Sequence, residues 1–418
     1  MAEAGKQERF FTAPLAIILV TVFIDLIGFG MVIPILPFYA VMFQATPLEI
    51  GFLQSIYSWM QFFFAPVLGR LSDRFGRRPV LLFSLLGSAA GYFVLGLAET
   101  LAVVFVGRVV SGITGASIST AQAYIADVTS RENRAKGMGL FGATFGLGFI
   151  LGPAMAGVLS KFGVHVPFYF AAVLSLVNAV ALYFFLPETV KKGIPGMAEK
   201  SRSSNRLAAL FDSLKEREFR VVNLLYFLLI MAFSIMTYAF VLFTAYRYGY
   251  NAEQNGYLFT FVGVISVIGQ GLLFGRLVRR FGEATLTSIG CSLMVVSLFA
   301  FPFLGPQFGG LWLLLATCAV LSIGNSFASP SLTSLGSKIS SEERQGSSLG
   351  IMQSGASLAR AIGPMLGGFL LNNAVNQIDD ATVVRTFWTA SGVMLVALFM
   401  AFYTVRVLRG HHASAANL

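Results

Sequence analysis

The sequence predicts an all-α membrane protein, a bundle of about twelve spanning helices in two similar halves. Three observations carry this. Of the 418 residues 56% are hydrophobic and only 11% charged, and the mean hydropathy is +0.76, against roughly 25% charged residues in an ordinary soluble domain. Apolar runs long enough to cross about 30 Å of hydrocarbon as a helix recur along the whole chain. The basic residues gather in the gaps between those runs, predominantly on one side of the implied membrane. The runs are continuous and rich in Leu, Phe, Gly and Ala rather than alternating, which excludes a closed β-barrel.

Bounded by charges and turn residues, the runs predict helices at roughly 13–40, 50–70, 79–98, 101–126, 137–160 and 167–187, then 221–246, 256–275, 284–304, 311–337, 347–372 and 384–405. The expected organisation is a six-helix bundle over 1–187, a polar cytoplasmic linker over 188–220 and a second six-helix bundle over 221–418. With an even helix count both termini share a side. Of the 29 Lys and Arg, 24 fall on that side, and only Lys161, Arg247 and Arg385 on the other. Lys and Arg collect on the cytoplasmic side of membranes, so both termini are expected inside. The net charge of +10 is thus a topology signal, and no basic patch or nucleic-acid motif accompanies it. The polar N-terminus leads into a long spanning run without a small-residue cleavage site, so a removable signal peptide is not expected. Cys291 and Cys318 both lie within apolar runs and read as small core residues rather than a disulfide.

The halves repeat each other. Gly69-Arg-Leu-Ser-Asp-Arg-Phe-Gly76 follows the second helix and Gly275-Arg-Leu-Val-Arg-Arg-Phe-Gly282 the eighth, 206 residues later; Gly152-Pro153 with Gly157 in the fifth is matched by Gly363-Pro364 with Gly368 in the eleventh, 211 residues later. Such repeats place a binding site at their interface near mid-membrane, where rocking of one half on the other alternates access.

Several segments carry a family resemblance. The run Gly69 to Arg78, with Asp73, Arg74, Gly76, Arg77 and Arg78, resembles the loop between helices two and three of the major facilitator superfamily. Its glycines permit a tight turn, and its charges can pair with neighbouring helix ends as a conformational latch, with Asp127 at the end of helix four as partner. Gly139, Gly148, Gly152, Pro153 and Gly157 resemble the antiporter motif of the drug efflux members, with Ala156 where a second terminal glycine is usual. Arg108, Ser111-Gly112, Gly115-Ala116 and Pro187-Glu188-Thr189 resemble two further motifs of the superfamily. The segments from Ser72 to Leu82, Ser111-Gly-Ile-Thr-Gly-Ala116 and Val241-Leu-Phe-Thr244 are most similar to the tetracycline branch of the twelve-helix drug:proton antiporters. The resemblance implies a proton-coupled exporter of small amphiphilic, drug-like molecules in the plasma membrane, the inner membrane for a bacterium, acting as a monomer with no cofactor. The tetracycline pumps also carry acids in helices three and nine and a histidine in helix eight. The matching positions here are Gly91, Met294 and Ser266, which speaks against tetracycline itself as substrate.

The charged residues inside the spans point to the engine. Eighteen of the nineteen acids fall in loops, tails or helix ends, leaving Asp25 in the first helix. About twelve residues in, it lies roughly 18 Å along the axis, near the bilayer middle. A charge there costs on the order of 2.5–3.5 kcal/mol on insertion scales and marks an ion or proton path. Asp25 is therefore the candidate proton carrier, and Gly28, Gly30, Pro34 and Pro37 around it predict an irregular first helix. Arg108 can approach Asp25 in depth and modulate its proton affinity. Arg360, without an acid at its depth in the second half, is a candidate for an anionic group of the substrate; pairing with Asp25 across the interface is the alternative. Tyr57, Gln54, Gln61, Tyr238, Gln270, Asn325, Gln353 and Trp388 are candidates to line an apolar pocket with a few hydrogen-bonding points. No phosphate loop, metal cluster or nucleophile arrangement is present, so neither an enzyme nor an ATP-driven pump is expected. Import or flipping of lipid-linked substrates by the same fold, and a receptor-like member that moves nothing, remain as alternatives.

Overall fold

The computed structural model describes residues 11–115, 117–130, 133–189, 216–340 and 345–415; most of the 188–220 connection lies outside them. Twelve spans follow in chain order among the described residues. They are α1 Ala13–Val41, α2 Pro47–Phe75, α3 Arg77–Gly96, an interrupted α4 with parts α4a Leu101–Ile113 and α4b Ser117–Val128, α5 Arg134–Ser160 and α6 Val166–Phe185. In the second half come α7 Arg217–Tyr248, α8 from Ala252–Ile268 through a π-helical stretch Gly269–Phe274 into Gly275–Phe281, α9 Glu283–Ala300, α10 Gly310–Ile339, α11 Gln345–Leu371 and α12 Asp380–Ala415. Ten are long and apolar enough to cross a membrane. The two that fall short in composition, α2 and α11, pack on each other across the interface between the halves and carry polar residues there, among them Gln54, Gln61, Ser357 and Arg360. Less apolar helices belong where a bundle faces its own interior rather than lipid.

The internal repeat reaches the helix ends. Thr46 and Glu49 form a reciprocal capping box at the start of α2, and Asn251 and Gln254 form the same box at the start of α8. Gly76 and Gly282 close the two repeated loops at φ of +114° and +75°, the region only glycine adopts at no steric cost.

One expectation fails. The first helix runs unbroken through Pro34 and Pro37, and the helical pattern lapses instead in α4, at Thr114 and Gly115. Close backing holds α1 in shape: Gly30 meets the Cα of Gly152 and the carbonyl of Gly148 on α5, and Asn178 of α6 donates to the Thr21 carbonyl at 2.9 Å.

On the side opposite the termini the halves close on each other at two places related by the repeat. A Cβ added to Gly51 of α2 would lie 2.5 Å from the Pro364 carbonyl oxygen on α11; one added to Gly256 of α8 would lie 2.7 Å from the Pro153 carbonyl oxygen on α5. Gly368 and Gly157 complete the two contacts, so the same backbone-on-backbone clasp occurs twice with the halves exchanged. A Lys161–Glu253 ion pair at 2.9 Å and a hydrogen bond from the Tyr238 hydroxyl to the Pro47 carbonyl reinforce this seal. Toward the termini the contact is lost: Gly69 on α2, Gly139 and Gly142 on α5, Gly271 and Gly275 on α8 and Gly350 on α11 face open space. The halves therefore diverge toward the terminus side.

Adding bulk at Gly51 or Gly256 should break the clasp. Overpacking costs about 1–3 kcal/mol, enough to shift a two-state opening by roughly tenfold or more. Gly51→Val is expected to raise the labelling rate of an Ala252→Cys reporter by an impermeant maleimide, in a background lacking Cys291 and Cys318. Unchanged labelling would show that the clasp is not a gate.

Candidate functional site

Asp25 sits on the inward face of α1 with only 8% of its surface exposed. Its carboxylate accepts a hydrogen bond of 2.6 Å from the Ser117 hydroxyl. Ser117 is the first residue of α4b, so the break in α4 delivers the amino end of a half-helix to the carboxylate, where free amides and the helix dipole favour negative charge. The interruption is itself supported. Gln61 of α2 donates 2.7 Å to the Gly115 carbonyl, and the Thr114 hydroxyl reaches the Ser111 carbonyl at 3.4 Å, the Gly115 amide having turned to Gly112. Carbonyls freed by a broken helix in a membrane need such partners.

Arg108, on α4a, is 5% exposed, and its guanidinium lies 4.6 Å from the centroid of the Tyr57 ring. Its hydrogen bond from Nε to the Leu53 carbonyl is long, 3.5 Å. No carboxylate comes within 4.0 Å of Arg108 or Arg360 among the described residues, so neither arginine is paired with Asp25 in this conformation. The first half's charges are gathered by two tyrosines: Tyr57 of α2 and Tyr92 of α3 both lie within electrostatic reach of Asp25 and Arg108. Tyr57 is also within reach of Arg360 from the other half. Gly28 makes room for Tyr92, since a Cβ there would stand 3.3 Å from Cε2 of that ring.

Arg360 donates 3.0 Å to its neighbour Ser357 and lies within electrostatic reach of Tyr226 on α7. Gln54 Nε2, Asn223 Oδ1 and Asn325 Oδ1 are buried without a hydrogen-bond partner, and Gly355 of α11 faces Asn223 at 3.6 Å.

Other candidates stand elsewhere. Tyr238 is fully buried and its hydroxyl is spent in the clasp with Pro47, so it does not line a pocket. Trp388 is 42% exposed on the outer flank, its ring stacked on Phe299 at 5.1 Å, and it too leaves the pocket list. Gln270, in the π-helical stretch, and Gln353 are exposed. A cavity of about 330 Å³ lined by Glu49, Phe52, Ile56, Trp59 and Phe105 lies on the flank between α2 and α4a, and Asp25, Arg108 and Arg360 do not border it.

The repeated loop of the first half forms a network within that half. Arg77 bridges Asp73 at 2.6 Å and Asp127 at 3.0 Å, while Glu188 accepts from the amides of Arg77 and Arg78 at 2.9 and 3.1 Å and so caps α3 from the end of α6. Arg78 donates to the Tyr183 carbonyl, and Arg74 lies 5.2 Å over Phe75. The helix-five glycines divide their work. Gly148 and Gly152 bring α5 onto α1 at Leu26 and Gly30, one turn or so from Asp25, Gly157 and Pro153 meet α8, and Gly139 meets nothing. At the three positions where tetracycline pumps carry charged or histidine side chains the packing is closed. A Cβ at Gly91 would collide with Ser111, Ser266 shares a 2.7 Å hydrogen bond with Ser322, and Met294 is fully buried. Ser117, Tyr92, Tyr226 and Asn223 were not singled out in the sequence.

A broken helix presented to a buried acid inside one of two six-helix repeats of the same orientation is the layout of a secondary transporter. The sequence model of the Major Facilitator Superfamily matches residues 18–359 and 308–417, and the chain belongs to that family. It is 31% identical over 393 residues to the class H tetracycline resistance protein of Pasteurella multocida, covering 93% of this chain and 94% of that one. It is 28% identical over 398 residues to multidrug resistance protein 2 of Bacillus subtilis, covering 94% of each. The crystal structure of the human organic anion transporter MFSD10 (TETRAN) matches with a TM-score of 0.69 and 25% identity, over 93% of this chain and 99% of that one.

The Gln61 to Gly115 bond should be needed for the α4 break. Leaving a buried carbonyl unpaired costs about 1–3 kcal/mol, so Gln61→Leu is expected to lower the melting temperature of the purified protein clearly. Gln270→Leu, on an exposed position, should stay within about 0.5 kcal/mol. Equal melting temperatures for the two variants would contradict the assignment.

Proposed function

We propose that the chain exports small amphiphilic molecules across the plasma membrane in exchange for protons, with Asp25 as the proton carrier. The single observation that carries this is the placement of Asp25: a buried acid held by Ser117 at the amino end of a half-helix. A carboxyl group so placed is satisfied both when neutral and when charged, as a carrier that loads and unloads must be. The excess of Lys and Arg makes the terminus side cytoplasmic, and the halves then diverge toward the cytoplasm, the side from which cargo for export is loaded. The names of the relatives, tetracycline and multidrug resistance proteins, support export of drug-like compounds. Arg360, without a carboxylate partner among the described residues, supports an anionic group on the cargo, in keeping with the organic anion transporter that shares the fold. The cycle is alternating access: Asp25 takes a proton from outside, the halves rock, and proton release inside accompanies loading of cargo.

In proteoliposomes with an imposed pH gradient, Asp25→Asn is expected to reduce exchange to the passive leak while the protein remains folded and monodisperse. Wild-type rates in that variant, or accumulation of cargo against the expected direction, would overturn the proposal. Arg360→Gln should weaken binding of an amphiphilic carboxylate by about 10–100-fold, since a hydrogen bond to a charged group contributes roughly 1.5–3 kcal/mol, and leave its methyl ester nearly unaffected. Equal losses for acid and ester would assign Arg360 to packing.

A further inference from the structure

Arg108 is held by the wrong neighbour for a simple proton switch. The first half holds a buried guanidinium and, among the described residues, one buried carboxylate, which are expected to pair, yet the close contacts of Arg108 are to α2: the face of the Tyr57 ring at 4.6 Å and the Leu53 carbonyl at 3.5 Å. The site is built for that arrangement. Gly112 and Gly115 let α4 close on Tyr57, since a Cβ at Gly112 would lie 2.7 Å from the Tyr57 carbonyl and one at Gly115 2.9 Å from its hydroxyl. The ring is further packed against Phe29 of α1, with centroids 5.3 Å apart. Tyr57 rides on α2, the helix that packs on α11 across the interface, and Arg360 of α11 is within its electrostatic reach.

We infer that Tyr57 is the positioning residue that couples the two halves: its ring holds Arg108 away from Asp25, and displacement of α2 by α11 hands Arg108 to the carboxylate. In that step the O–H bond of the Asp25 acid breaks, the proton passes to water in the cleft, and the carboxylate that remains pairs with Arg108, which keeps its charge throughout. Cargo bound at Arg360 moves or neutralises the α11 side of this contact, so loading of cargo and loss of the proton become one event. The inference rests on Asp25 being the proton carrier. The other groups facing Asp25 are the Tyr92 phenol from α3 and the Ser117 hydroxyl from α4b. Helices α5, α6 and α8, which also pack on α1, bring it no ionisable partner among the described residues.

The test is the infrared carboxylic acid band of Asp25, assigned by its loss in Asp25→Asn and followed against pH in the purified full chain. Tyr57→Leu frees Arg108, so the pH at which half the band is lost should fall by about 1–3 units, the effect of an adjacent arginine on a carboxyl group. Tyr57→Phe keeps the aromatic face and should titrate like the wild type. The double variant Tyr57→Leu with Arg108→Gln should lose the downward displacement, which a general loosening of packing would not reverse. If Tyr57→Leu titrates like the wild type, or Tyr57→Phe is displaced as far as Tyr57→Leu, the coupling role is overturned while the proton carrier stands. If no band belonging to Asp25 titrates in the wild type, the carrier falls and the coupling with it.

Discussion

A carboxyl group in hydrocarbon must be satisfied in both of its charge states, and the architecture around Asp25 answers that requirement. Hydroxyls adapt: the Ser117 O–H donates to a carboxylate, and its oxygen can accept from the neutral acid. The half-helix behind it offers a positive end. Interrupting α4 frees backbone carbonyls at Ser111 and Gly115, which Thr114 and Gln61 reach. The glycines at 28, 112 and 115 follow from the same demand, because two tyrosines and an arginine have to stand within a few ångströms of the break. Much of the polar content of the first half thus descends from one buried acid.

The seal opposite the termini is a different kind of structure, made of backbone contacts and not of charge. Two glycine clasps related by the internal repeat bear the halves, with Lys161–Glu253 at the rim. An exposed ion pair contributes about 0–1 kcal/mol, so shape carries the closure. Backbone-on-backbone contact is stiff and works at one distance, which suits a gate with two discrete positions. The glycines left facing open space on the terminus side of α2, α5, α8 and α11 occupy the corresponding places in the other half of each helix.

What was legible in the sequence was whatever the bilayer imposes directly. Spans are long because hydrocarbon is thick, basic loops are sorted because of topology, and repeats survive as glycine and capping patterns; the twelve helices were readable for these reasons. Depth along a helix was readable too, which is why Asp25, Arg108 and Arg360 could be placed near one level. Azimuth was not. Tyr238 and Trp388 looked like pocket residues, yet one turns into the clasp and the other onto Phe299 at the outer flank. Gly28, Gly30, Pro34 and Pro37 suggested an irregular α1, but tight backing by α5 keeps that helix continuous, while α4 is interrupted at Thr114-Gly115, where Gln61, 54 residues away in the chain, pairs with the carbonyl. Arg108 had the right depth for Asp25, and the Tyr57 ring that diverts it lies on another helix.

The central claim is that Asp25 gains and loses a proton within reach of the cleft between the halves. Dicyclohexylcarbodiimide is apolar and attacks the protonated form of a carboxyl group, so its adduct, located by mass spectrometry of the digested chain, reads this directly. The account predicts an adduct at Asp25 that forms at low pH and disappears as pH rises, with Asp25→Asn giving none at that position. An adduct yield at Asp25 that does not change with pH, or none at any pH, would contradict it.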